Sequence, residues 1–130
     1  MMDLLLEQTC DRSKIQYFLS LVFESSVARI RVFSSEEFNA LNEELSDSSI
    51  DCACVFSSVS GDAAQLLQLY RYRVDQVQAV TRIAAIATQN GIRCYLPTDS
   101  LDVWICVGHG DGPKSVKQIE CDEDDCYLFV

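Results

Sequence analysis

The sequence predicts an α/β domain, with an α+β arrangement as the close alternative: a mixed sheet of about five to six strands and three helices. Three observations carry this reading. Apolar stripes at helical spacing alternate with short β-branched runs through the first two thirds of the chain. In the last third the strand-like runs are separated only by short loops. Finally, 130 residues of which 48% are hydrophobic suffice for one buried core, so residues 1–130 read as a single domain.

Each element follows from local pattern. Residues 3–9 read as a preliminary turn of helix. Ser13-Lys14-Ile15-Gln16 has the form of a capping box, and Ile15, Phe18, Leu19 and Val22 recur at helical spacing. Together they predict a first helix over about 13–25. Val27 to Phe33 is β-branched and predicts a strand with Arg29 and Arg31 on one face. Ser34-Ser35-Glu36-Glu37 is a second capping box, followed by Phe38, Leu41 and Leu45 as the stripe of a short helix that Asp47-Ser48-Ser49 breaks.

Ile50 to Phe56 is almost continuously apolar, as a central strand covered on both faces should be. Ser57 to Asp62 then turns the chain into a long helix over about 62–89, with Asp62 and Gln65 at its start and Asn90-Gly91 at its end. Ile92–Leu96 and Leu101–Val107 are strands flanking a turn at Pro97–Ser100. A glycine-rich loop at 108–112 leads to Val116–Cys121 and Tyr127–Val130. Strands joined through helices should be parallel with right-handed crossovers, and the last ones should form an antiparallel meander.

A helix over 62–89 would be about 42 Å long, more than the roughly 36 Å diameter of a compact domain of this size. Its stripe is Leu66, Leu69, Tyr70, Val77, Val80, Ala84 and Ala87, with Arg73 inside it and Ile83 and Ile86 off it. Two coverings fit this pattern. Other helices of the same fold bury Ile83 and Ile86, or a second copy of the chain meets Ile83, Ile86 and Arg73 as a homodimer interface.

Charge narrows the function. Twenty Asp and Glu against ten Lys and Arg give a formal net charge of -10. That balance disfavours direct binding to nucleic acid and to anionic membranes, and favours a basic protein partner. No apolar run approaches the length of a membrane span, and the start of the chain lacks a basic leader, so the expected location is cytoplasmic, in its own cell or a host cell. Seven cysteines, most within apolar runs, read as buried free thiols of a reducing compartment.

The candidate chemistry is weak throughout. Gly108-His109-Gly110-Asp111-Gly112-Pro113-Lys114-Ser115 looks like a phosphate loop, but Pro113 stands where such a loop needs glycine before its lysine. Cys106 with His109, the sole histidine, lacks an orienting partner for nucleophilic catalysis. Cys52 and Cys54 with Cys121 and Cys126 have the wrong spacings for a zinc knuckle, and Asp122–Asp125 lacks the rhythm of a calcium loop. Neither a metal nor a cofactor is expected, and no catalytic residue is assigned.

The leading expectation is a non-enzymatic binding protein, an inhibitor, immunity-type or adaptor domain that occludes a basic partner. That partner would be one that processes nucleic acid, since clustered carboxylates imitate a phosphate backbone. Its contact residues would be Glu36, Glu37, Glu43, Glu44 and Asp47 around the second helix, together with Asp122, Glu123, Asp124 and Asp125 near the C-terminus. The alternative is a small-molecule sensor or enzyme with a pocket at the carboxyl ends of parallel strands, drawn from Ser57, Ser58, Ser60, Asp62, Thr98 and Asp99.

Overall fold

The computed structural model describes residues 1–41, 50–110 and 112–130. Its strands are β1 (Met2–Leu6), β2 (Ile30–Ser34), β3 (Cys52–Ser58), β4 (Ser60–Gly61), β5 (Gln65–Tyr70), β6 (Cys94–Pro97), β7 (Val103–Val107), β8 (Lys114–Ile119) and β9 (Cys126–Phe129). Its helices are α1 (Arg12–Val22), α2 (Ser35–Asn39) and α3 (Gln76–Gln89), with a 3₁₀ turn at Val27–Arg29. The strands form one mixed sheet in the order β2-β3-β5-β1-β6-β7-β8-β9-β4. The mixed α and β class and the three helices hold among the described residues, while the strand count exceeds the five to six expected.

Three local expectations are corrected. The first concerns residues 3–9, which do not form a helical turn. Met2–Leu6 is an interior strand, antiparallel to β5 on one side and β6 on the other. Leu4 and Leu6 face the helix-side core and Leu5 the opposite one. Three successive leucines carry no period, so only their two-sided burial reveals the strand. The second concerns the cap of α1, which is Asp11 rather than Ser13: its carboxylate accepts from the Lys14 N–H at 2.8 Å.

The third correction is the largest. Residues 65–89 form a strand and a 14-residue helix, not one long helix. In β5, Gln65, Leu67 and Leu69 are buried and Leu66, Gln68 and Tyr70 half-buried, an alternation that helical counting also matched in part. Arg71, at φ 61, breaks the chain direction. Asp75 then caps α3 by accepting from the Gln78 N–H at 2.7 Å. A helix of this length spans about 21 Å and does not overhang its domain.

The second capping box is present as expected. Ser34 accepts from the Glu37 N–H and Glu37 reaches back to the Ser34 N–H. Cys52 to Val55 of β3 are buried on both faces, as expected for a central strand. Parallel pairing, by contrast, is confined among the described residues to β2 with β3 and to the short β4 with β9. Because Gln65–Tyr70 is a strand, β3 returns antiparallel through β5, and the expected run of parallel strands does not arise.

Helices α1 and α3 pack against each other over one face of the sheet. On the other face the C-terminal hairpin folds back. The tip of the β3–β5 connection lays Ser60 and Gly61 beside Cys126 and Tyr127, so the far edge of the sheet curls onto its own middle. This closes a second core around Leu5, Ala63, Tyr95 and Trp104, with the Phe129 ring stacked on Tyr95 at 4.1 Å. Gly61 is needed at the contact. Its φ is 94, and a Cβ there would collide with the Tyr127 backbone.

Candidate partner-binding surface

The loop between β8 and β9 displays the densest acidic run of the chain. Cys121 and Cys126 form a disulfide across it, so five cysteines are free thiols and this pair corrects the expectation of thiols throughout. Between the sulfurs, Asp122, Glu123, Asp124 and Asp125 are all exposed. Asp125 takes a left-handed φ of 53, and its carbonyl accepts from the Ser60 N–H at 2.9 Å, anchoring the loop to the β4 tip. Closing so short a loop stabilises by roughly 2 kcal/mol through the unfolded chain. The Cys121→Ser/Cys126→Ser variant is therefore expected to lose about that much unfolding free energy in urea titration. An unchanged midpoint would show that the staple carries no load.

Beside this loop lies a concavity of about 420 Å³ whose wall includes Leu101, Ile119, Glu120, Glu123 and the disulfide. Leu101 is 99% exposed and Ile119 41%, so two aliphatic side chains stand in water next to carboxylates. Asp102 sits on the rim, 3.8 Å from the Lys117 ammonium. A second concavity of about 380 Å³ lies against the same loop and reaches Ser60, Gly61 and Leu128. Glu120 belongs to the C-terminal acidic cluster read from sequence, whereas Leu101 and Ile119 were not singled out. A leucine opening an alternating strand reads as core unless the sheet is known to end there.

The remaining predicted contact residues divide. Glu36 is exposed on α2. Glu37 is already engaged: the Arg12 guanidinium pairs with it, and the Ser34 cap adds to the pull that brings its carboxyl down to about 2. Glu43, Glu44 and Asp47 lie outside the described residues. The described acids of α2 line neither concavity at the C-terminal loop.

The predicted dimer residues are placed otherwise than a shared helix face requires. Ile83 is fully buried in the helix-side core, with Ile86 packed against it. Arg73 precedes α3 and lies 3.8 Å from Asp51. Asp51 is chiefly held by Arg29, at 2.8 and 2.9 Å, and by the Ser25 hydroxyl, which together keep its carboxyl well below the usual range. The chain's own fold covers Ile83, the first of the two coverings its sequence allowed.

The alternative pocket is not assembled. Strand β3 runs opposite to β5, β5 opposite to β1, and β1 opposite to β6. Ser57 and Ser58 at the end of β3 therefore stand at the other end of the sheet from Thr98 and Asp99 after β6. Ser60 and Asp62 are committed to closing the fold: the Asp62 N–H donates to the Tyr127 carbonyl at 2.7 Å, and its carboxylate accepts from the Phe129 N–H at 2.9 Å. They do not open a helix.

Other candidate chemistry is absorbed by structure. Gly108 passes so close to the Ile92 backbone that a Cβ would clash, which explains the glycine without a phosphate. Residues 108–113 join antiparallel β7 and β8. His109 pairs with Glu7, and burial, followed by the Glu7 charge, pushes the Cys106 thiol up rather than towards a reactive thiolate. Cys52 and Cys94 are each pushed up to about 12, chiefly by burial. Cys52 and Cys54 lie inside the helix-side core, far in the fold from the bonded pair at the surface, and no group of three metal-ligating side chains occurs among the described residues. Comparison with protein-family models, curated proteins and solved structures finds no match to this chain.

Proposed function

We propose that this chain is a non-enzymatic protein-binding domain, of the inhibitor, immunity or adaptor kind, that occludes a basic partner. The observation that carries the reading is the disulfide-closed loop Asp122–Asp125 standing exposed beside Leu101 and Ile119. Carboxylates around exposed aliphatic side chains suit a cationic surface bearing apolar anchors, with charge setting encounter and apolar contact setting residence. A net charge of -10 acts in the same sense at long range. Because binding would rest on exposed charge, it should weaken steeply with salt.

The test compares wild type with a variant carrying Asp122→Lys, Glu123→Lys and Asp124→Lys. Asp125 is left intact because its left-handed backbone tolerates Asp better than Lys. Both are immobilised and eluted across a salt gradient after exposure to native lysate, and retained proteins are identified by mass. A basic protein held by wild type and lost from the variant is the expected result. Equal retention on both would overturn the reading.

A further inference from the structure

We propose that the cleft at the Asp3 end of the sheet is a socket for one Lys or Arg side chain of the basic partner, with the Asp3 carboxylate as counter-charge. The inference deepens the binding reading above and rests on it. Its starting point is an oxygen. Asp3 Oδ1 is buried and finds no hydrogen-bond donor among the described residues. A buried carboxylate oxygen without a donor costs free energy, and native structures rarely leave one without a water, ion or ligand.

The surroundings specify what would satisfy it. Alternation along β1 turns Asp3 to the same face as Leu5, the face that the C-terminal hairpin covers. A cleft of about 250 Å³ opens beside it, walled by Pro97, Leu101 and Trp104 and edged by Gln76 and Thr98. The apolar walls fit the methylene stem of a long cationic side chain, whose charged head can also meet the indole. No Lys, Arg or His side chain lines the cleft among the described residues.

Position ties the socket to the rest of the surface. Leu101 lines both this cleft and the acid-rimmed concavity at the C-terminal loop. An extended basic segment can therefore seat one side chain beside Asp3, cross Leu101, and set further cations over Glu120 and Glu123. The shared wall is what turns two separate hollows into one track.

Trp104 is the only tryptophan and lines the cleft, so its fluorescence reports occupancy directly. Wild type titrated with a decalysine peptide should give a saturable, salt-sensitive change. Asp3→Asn should weaken that binding roughly thirtyfold, the usual consequence of losing one partner of a desolvated charge pair. Gln76→Lys, at an exposed position that cannot endanger the core, should weaken it comparably by placing a cation at the mouth. The triple Lys variant of the acidic loop should bind more weakly but still change Trp104 at saturation. Wild-type affinity in both Asp3→Asn and Gln76→Lys, or binding without any Trp104 response, overturns the socket while leaving the acidic-loop reading intact. If butylamine matches the peptide in affinity, the cleft is a small-amine site and the docking proposal fails. If decalysine binds none of these proteins at low salt, the binding reading itself falls, and the socket with it.

Discussion

Ile83→Ala is expected to lower the unfolding free energy by about 3–4 kcal/mol, among the largest effects of any single truncation in this chain. The side chain is fully buried within the helix-side core, on the face of α3 that it shares with buried Ala79 and Ala87. Those two alanines let the helix approach the sheet and α1 closely. One turn away on either side the helix offers only those alanine methyls, which cannot fill the vacated space, so most of the cavity should persist. Val77→Ala on the same helix is the control. Val77 is 78% exposed, and its truncation should stay within about 0.5 kcal/mol of wild type. Denaturant titration of both variants decides the matter. If Ile83→Ala were nearly silent in stability but shifted the solution mass, a partner-facing role for Ile83 would have to be restored.

Gln65→Leu should cost about 2–4 kcal/mol although it replaces a polar side chain in the core with an apolar one of similar size. The Gln65 amide substitutes for a missing strand. Its Oε1 accepts from the Cys10 N–H at 3.0 Å, and its Nε2 donates to the Cys10 carbonyl at 3.1 Å. Both bonds are buried, and the side chain itself is 3% exposed. Leucine would leave a backbone donor and a backbone acceptor dry at once, and each orphan carries a desolvation cost of about 1–3 kcal/mol. Gln65→Glu separates the two contributions. Ionised, it keeps the acceptor, loses the donor and buries a charge; protonated, its hydroxyl restores a donor to the Cys10 carbonyl, so it should fall between wild type and Gln65→Leu near neutral pH only if the carboxyl takes up a proton. Rising stability of that variant with falling pH would be the signature. A Gln65→Leu protein as stable as wild type would show that the pair of bonds contributes nothing net.

Legibility along the chain followed the reach of the forces involved. The second capping box was readable because its partners, Ser34 and Glu37, lie three residues apart and satisfy each other without help. Strand β3 was readable because burial on both faces demands an unbroken apolar run. Strand β5 was not, since Leu66, Leu69 and Tyr70 fit a helical stripe as well as they fit alternation. Only the slot between β3 and β1, with backbone partners on both sides, decides for extended chain there. The helix then begins after Asp75, whose side chain caps it by accepting from the Gln78 N–H.

The candidate surface divides in the same way. The acidic run at 122–125 and the net charge are properties of composition, and no folding could hide four successive carboxylates in a core. Which apolar side chains stand beside them is a different kind of fact. Leu101 reads as core in an alternating strand, yet the strand begins at Val103 and leaves it in water. Asp3 reads as a polar residue in an N-terminal turn, yet an interior strand carries it under the hairpin.

The chain by itself therefore determined the mixed class of the fold, its acidity and the elements whose signals are satisfied within a few residues. The tertiary structure alone decided the strand order, the return of the C-terminal hairpin across the sheet, the Cys121–Cys126 bond, and the meeting of Asp3, Trp104 and Leu101 along one cleft. The physical reason is that pairing between strands and burial of side chains are contests among segments distant in sequence. Local periodicity can nominate the contestants, but the free energy that selects among them comes from contacts that exist only once the sheet has closed.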